Sequence, residues 1–204
     1  MTWEATGTFV KVCGLKTRAD VEAAVEAGAD AVGFVWYAPS PRHVELDDIR
    51  TLAASADLPT VLVTAGIDSA TLLAAAGKAG VAAVQPHGHA AAVSAAAARR
   101  VGLSVIHPVA AGADVERIHD DDLLLVDAPD AELVGGKGEV FDWNLAVAID
   151  RPFLLAGGLD PGNVVAAIRH VRPFGVDASS GLESSPGVKD ADLIRRFVQE
   201  AKQA

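Results

Sequence analysis

Short apolar, β-branched runs alternate along the chain with longer stretches whose apolar residues recur at helical spacing, one such pair about every 25 residues. The runs predict strands at Phe9 to Cys13, Ala31 to Trp36, Thr60 to Thr64, Ala82 to Gln85, Ser104 to Pro108, Leu123 to Asp127, Phe153 to Ala156 and Gly175 to Ala178. The intervening pattern predicts helices at Arg18 to Ala27, Leu46 to Ala54, Ser69 to Ala79, Ala90 to Arg100, Val115 to His119, Trp143 to Ile149, Pro161 to His170 and Asp190 to Lys202, the fifth being the shortest. Punctuation supports several ends: Thr17 and Asp160 suit N-caps, Pro161 a first helical position, and Gly28, Gly80 and Gly102 follow helical stretches.

Runs such as Leu123-Leu124-Leu125-Val126 and Phe153-Leu154-Leu155-Ala156 are apolar on both faces, as in parallel strands covered by helices on one side and packed against one another on the other. Eight βα units of this kind predict an α/β fold, a (β/α)8 TIM barrel in a single domain over the 204 residues. An open doubly wound sheet shares the alternation and is the competing architecture. No Pro-, Ser- or charge-rich linker divides the chain. Its longest irregular stretch, Ala128 to Asp142, contains Gly135, Gly136 and Gly138 and is the predicted active-site loop.

Half the residues are hydrophobic and 22% are charged, which excludes a disordered chain. The longest apolar run, Ala90 to Ala98, is too short to cross a bilayer, and Met1 to Gly7 do not resemble a secretory signal, so a soluble, cytoplasmic protein without membrane contact is expected. A net charge of -10 without a dense Lys/Arg cluster argues against nucleic acid as a partner and leaves a small-molecule substrate. An anionic ligand would then need local positive potential. The single cysteine, Cys13, can form no internal disulfide and is either a small buried hydrophobe or a reactive thiol.

In a parallel barrel the C-terminal ends of the strands open on one face, so polar residues there converge. Cys13 closes the first strand ahead of Gly14, and Asp127 ends the sixth; burial and capping, respectively, are their structural alternatives. Gly157-Gly158 after the seventh strand and Ser179-Ser180-Gly181 after the eighth are two neighbouring small-residue turns, suited to binding phosphate through backbone N–H groups. Arg42, on the proline-stiffened loop Pro39-Ser40-Pro41-Arg42, could offer a fork to a carboxylate. Gln85, His87 and His107 lie near the ends of strands four and five and could orient a ligand, but none has metal-ligand spacing, so no metal is assigned. Asp47-Asp48 and Asp120 to Asp122 read as solvated or capping acids.

At these positions the sequence resembles the phosphoribosylanthranilate isomerase family. The resemblance rests on Val10-Lys11-Val12-Cys13-Gly14, Glu26 to Phe34, Pro39-Ser40-Pro41-Arg42, Val84-Gln85-Pro86-His87-Gly88, Val126-Asp127, Phe141-Asp142-Trp143, Leu155-Ala156-Gly157-Gly158-Leu159 and Gly175 to Gly187. It implies a barrel that carries out an Amadori rearrangement without a cofactor, with Cys13 as general base and Asp127 as general acid. It also implies substrate contacts at Arg42 and Asp177 and a phosphate site at Gly157, Gly158, Ser179 and Ser180. Gln85 and His87 are retained as substrate-orienting candidates. Monomer and homodimer both remain open.

That chemistry requires a proton on the carboxyl and a thiolate on the cysteine, the reverse of their free states at neutral pH. Burial or a nearby anion is therefore expected to raise the Asp127 pKa, and a cation, Lys11 or Arg42, to favour the Cys13 thiolate. The sequence departs from the family at Gly135-Gly136-Lys137-Gly138-Glu139-Val140, where Gly-Gly-Thr-Gly-Lys-Thr or -Ser is usual. It also departs at Thr64, Pro86 and His107. A dual-substrate phosphosugar isomerase, which would typically use paired aspartates, and a catalytically retired phosphosugar-binding barrel are the rival readings.

Overall fold

The computed structural model describes residue 3, residues 5–128 and residues 142–204. Eight strands close a parallel barrel in sequence order: β1 (Phe9–Cys13), β2 (Ala31–Trp36), β3 (Thr60–Ala65), β4 (Ala83–His87), β5 (Ser104–Ala110), β6 (Leu123–Asp127), β7 (Phe153–Leu155) and β8 (Gly175–Ala178). β8 pairs with β1 and completes the circle, which excludes the open sheet. The helices are α1 (Arg18–Ala27), α2 (Leu46–Ser55), α3 (Ser69–Ala79), α4 (Ala91–Arg100), α5 (Asn144–Val147), α6 (Val164–Val171) and α7 (Ala191–Gln203). None among the described residues is long and apolar enough to cross a membrane.

Side-chain alternation divides the core in two. Val10, Val12, Val32, Phe34, Leu62, Val84, Leu124, Val126 and Val176 pack outward against the helices. Phe9, Cys13, Ala31, Val35, Val61, Val63, Ala83, Ile106, Leu125 and Leu154 fill the interior. Both layers are apolar, which is why the strands read as continuous hydrophobic runs. The interior is sealed at the N-terminal end by aromatic rings: Phe9 stacks on Phe174 with centroids 5.5 Å apart and meets Trp3 edge-on at 5.8 Å. Gly175 is the register partner of Phe9, and any Cβ there would lie 2.3 Å from the Phe9 carbonyl oxygen, so only glycine lets β8 approach at this level.

Local chemistry sets the helix limits. Thr17 and Asp20 form a reciprocal capping box on α1, Asp68 caps α3, and Gly28 and Gly80 close the same helices in the left-handed conformation. The predicted fifth helix, Val115 to His119, does not form; the connection between β5 and β6 is a chain of turns. Arg151, from the far side of β6, donates to the carbonyls of Ile118, His119, Asp120 and Asp122, the groups a continuing helix would have used itself. Beside them Asp122 is not a solvated acid as expected but a buried one, gripped by both its oxygens from Arg99 at 2.7 and 2.6 Å.

The predicted helix at Trp143 contracts to Asn144–Val147. Asp160 and Pro161 do not open α6: Asp160 accepts from the N–H groups of Gly162 and Asn163, closing a turn that delays the helix to Val164. An element the hydrophobic pattern did not announce follows β8, a 3-10 turn (Ser180–Leu182) leading into the hairpin β9 (Glu183–Ser185) and β10 (Val188–Lys189).

Phe9→Ala should leave a cavity at the closed end of the barrel, remote from the strand C-termini. A loss of about 3–5 kcal/mol in unfolding free energy is expected by denaturant titration, the usual range for deleting a buried phenyl ring.

Candidate active site

Lys11 and Asp177 are register partners on β1 and β8, so their side chains enter the barrel interior at one level. The Lys11 Nζ donates to Asp177 Oδ1 at 2.7 Å, and the lysine is fully buried. Burial lowers the Lys11 pKa, but the charges of Asp177 and Cys13, with their hydrogen bonds, outweigh it and raise the pKa above the ordinary lysine value. Cys13, two residues along β1, shares the inward face one step nearer the open end. Gly33, its register partner on β2, makes the room: a Cβ at Gly33 would lie 2.8 Å from Cys13 Sγ and 3.3 Å from Lys11 Cε.

Burial pushes the Cys13 thiol up, and Lys11 and then Lys189 offset that only in part, Asp177 opposing them. The expected cation is therefore present as Lys11, not Arg42, but in the unliganded site it does not bring the net shift below the ordinary thiol. Asp127, the last residue of β6, also faces inward, and its pKa is raised, by desolvation first and by the negative charge of Asp177 second, against a hydrogen bond from the Ala128 N–H at 2.8 Å. The direction matches the expectation for a carboxyl that holds its proton.

Gln85 and His87 project into the same interior from β4, their Nε2 atoms 2.9 Å apart. Burial, and then the charge of Lys11, depresses the His87 pKa to about 4. The ring is therefore neutral at physiological pH, with Nε2 placed to accept from the Gln85 amide. Gln85 Oε1 is buried and has no partner among the described residues.

The two small-residue turns are in contact. Any Cβ at Gly181 would lie 2.1 Å from the Leu159 carbonyl oxygen, so the turn after β8 rests directly on the turn after β7. Gly157 and Gly158 both have positive φ, 81° and 64°, and Asn163 fixes the second by donating to its carbonyl at 2.8 Å. A further contact joins this region to Cys13: at Gly14, the residue immediately after it, an added Cβ would meet Arg42 Cδ at 2.7 Å and Ser179 Oγ at 2.8 Å. Thus Cys13, Arg42 and the Ser179 turn converge on one glycine.

Arg42 is itself buried, and its fork already has a partner. Nε and Nη2 donate to the two carboxylate oxygens of Glu183 at 2.6 and 2.8 Å. Glu183 also accepts from Lys189 Nζ at 2.9 Å and from the Gly187 N–H at 3.1 Å.

A family profile described as N-(5'-phosphoribosyl)anthranilate (PRA) isomerase matches residues 10–200. The N-(5'-phosphoribosyl)anthranilate isomerase of Haloferax volcanii is 43% identical, with 97% of this chain and 94% of that one covered. That of Azorhizobium caulinodans is 44% identical over 96% and 92%. Among solved structures, phosphoribosyl anthranilate isomerase from Thermotoga maritima superimposes with a TM-score of 0.84 at 36% identity, covering 97% of this chain and 100% of that one. The chain belongs to the phosphoribosylanthranilate isomerase family.

Cys13, Asp127, Arg42 and the two turns, expected from the strand ends and loops, and Asp177, implied by the family resemblance, gather at or below the strand C-termini. His107 does not join them: it shares the outward face of β5 with Val105 and pairs with Asp122 through Nδ1 at 3.1 Å. Thr64 and Pro86 likewise alternate with inward residues and face the helix layer, so these departures from the family pattern leave the interior unaltered. The departing loop Gly135 to Val140, and Phe141, lie outside the described residues. Glu183 and Lys189 were passed over in the sequence although they lie in or directly after the Gly175 to Gly187 motif; two opposite charges flanking a Pro-Gly turn were the available signal.

Because the native His87 binds its proton only near pH 4 and an unfolded histidine near 6.5, the unfolded state takes up the extra proton in between. This contribution to stability is present above pH 6.5 and is lost as pH falls toward 4. Unfolding titrations across that window should show the loss in the natural protein and a flatter dependence in His87→Gln.

Proposed function

We propose that the chain converts N-(5-phosphoribosyl)anthranilate to 1-(2-carboxyphenylamino)-1-deoxyribulose 5-phosphate in tryptophan biosynthesis, with Asp127 as general acid and Cys13 as general base. The observation that carries the reading is the inward placement of an acid whose pKa is raised by burial and a thiol beside a buried ammonium, at the mouth of a barrel whose last two strands end in touching small-residue turns. A solved family member bound to reduced 1-(o-carboxyphenylamino)-1-deoxyribulose 5-phosphate, 33% identical with a TM-score of 0.80 and covering 97% of this chain and 100% of that one, supports it.

The neutral Asp127 carboxyl protonates the furanose ring oxygen as the C1–O bond breaks, and the anthranilate nitrogen stabilises the resulting iminium. The iminium acidifies the C2 proton, which the Cys13 thiolate removes; the enolamine formed tautomerises to the ketone. Burial makes that thiolate scarce but also a stronger base than an ordinary one, and Lys11 keeps it accessible. Backbone N–H groups at Gly157, Gly158, Ser179 and Ser180 hold the phosphate, and Arg42 meets the anthranilate carboxylate with the fork edge that Glu183 leaves free. Asp177, Gln85 and His87 contact the sugar and the aryl amine between these anchors. Every group invoked belongs to one chain, so the reading holds for a monomer or a homodimer; a Thermotoga maritima relative is described as dimeric.

Purified protein should consume the phosphoribosylated anthranilate, and Cys13→Ala and Asp127→Asn should each lower kcat by about 10²- to 10⁴-fold while circular dichroism shows the fold retained. No turnover by the natural protein, or full turnover by either variant, would remove the proposal.

A further inference from the structure

The Glu183–Lys189 hairpin is not accounted for by acid, base or phosphate turn, yet it carries two opposite charges into the edge of the site. The Glu183 side chain is nearly sealed from solvent, and its pKa is lowered because, against its burial, Arg42 and Lys189 favour the charged carboxylate. Both its oxygens are used: Oε1 by Arg42 Nε and Lys189 Nζ, Oε2 by Arg42 Nη2 and the Gly187 N–H. Lys189 in turn donates to the Ser179 carbonyl oxygen at 2.7 Å and approaches its hydroxyl at 3.4 Å. The hairpin is pinned to the β2 loop independently of these charges, since any Cβ at Gly187 would lie 2.3 Å from the Pro41 carbonyl oxygen.

Two cations and one anion leave the cluster with a net positive charge, and of Arg42 only the Nη1 edge lacks a Glu183 contact. The guanidinium plane is fixed by a bidentate pair, so its free edge can point in one direction only. Lys189 fixes the other side by tethering the backbone of the Ser179 turn.

We propose that Glu183 is a positioning residue for the isomerisation, orienting Arg42 toward the aryl carboxylate and joining it through Lys189 to the phosphate turn, so that one hairpin sets the span between the two anionic ends of the substrate. This rests on the reading under Proposed function. The hairpin thereby discriminates substrates that carry a carboxylate and a phosphate at that separation from those with the phosphate alone.

The test measures binding of two ligands to the natural protein and to two variants: the reduced product analogue with its ring carboxylate, and the same compound with an unsubstituted phenyl ring. Glu183→Gln should weaken the carboxylated analogue at least about tenfold and the phenyl analogue less than about threefold, since the aryl-carboxylate anchor alone is misdirected. Lys189→Met, which keeps the Glu183–Arg42 fork, should weaken both analogues by the same factor, since the phosphate is common to them. In turnover, Glu183→Gln should raise KM more than it lowers kcat. Equal weakening of both analogues by Glu183→Gln, or none, would overturn the proposal, as would a carboxylate-selective loss in Lys189→Met. Should Glu183→Gln fail to fold, Glu183→Asp, which keeps the charge but draws it back from Arg42, replaces it in the same comparison with the same two outcomes. Failure of the natural protein to bind the carboxylated analogue would instead refute the functional reading itself.

Discussion

The buried Lys11–Asp177 pair is the constraint around which the interior of this barrel is arranged. Removing two charges from water is unfavourable, and a buried pair seldom stabilises a fold more than apolar residues of the same volume would. The register partnership of β1 and β8 nevertheless places both charges at one level, at 2.7 Å, between the aromatic seal below and the thiol above. Their consequences spread upward and sideways. Lys11 depresses the proton affinity of His87 and counters the burial of Cys13, while Asp177 raises that of both Cys13 and Asp127. The ionisation of the two groups that would exchange protons with substrate is thus coupled through one buried pair.

Apolar packing makes this arrangement durable. The outward faces of the strands are held by the helix layer, so the inward positions at the strand ends are released from core duty and can carry Cys13, His87 and Asp127. Glycines do the complementary work: Gly33 makes space for the thiol and the lysine stem, Gly14 lets Arg42 and Ser179 close in behind the thiol, and Gly181 brings the last two turns together. At each of these positions a single methyl group would displace a neighbour the site needs.

Much of this was legible in the sequence because the signals are local. Both-face apolar runs located the eight strands to within a residue or two, and capping residues set α1 and α3 to their observed limits. Cys13, Asp127 and the small-residue turns were identifiable as strand termini and Arg42 from its proline-stiffened loop, and the family motifs added Asp177. What escaped depends on residues distant in sequence. Nothing in Val115 to His119 reveals that Arg151 will claim the nearby carbonyls, and nothing in Asp120 to Asp122 reveals that Arg99 and His107 will bury the last of them. Glu183 meets Arg42 only because the hairpin folds it there, from 141 residues away in sequence. The balance at Cys13 is of the same kind: a neighbouring cation could be read from Lys11, but whether it overcomes desolvation is set by the depth of the enclosing barrel.

The coupling of Cys13 to the Lys11–Asp177 pair is tested most directly by the pH dependence of Cys13 alkylation by iodoacetamide in the free protein, which reads the thiolate without requiring turnover. The midpoint should lie above that of an ordinary thiol in the natural protein, move higher in Lys11→Met, and move lower in Asp177→Asn, where the ammonium is freed of its counter-charge. A midpoint at or below the ordinary value, or one indifferent to the loss of Lys11, would contradict the account.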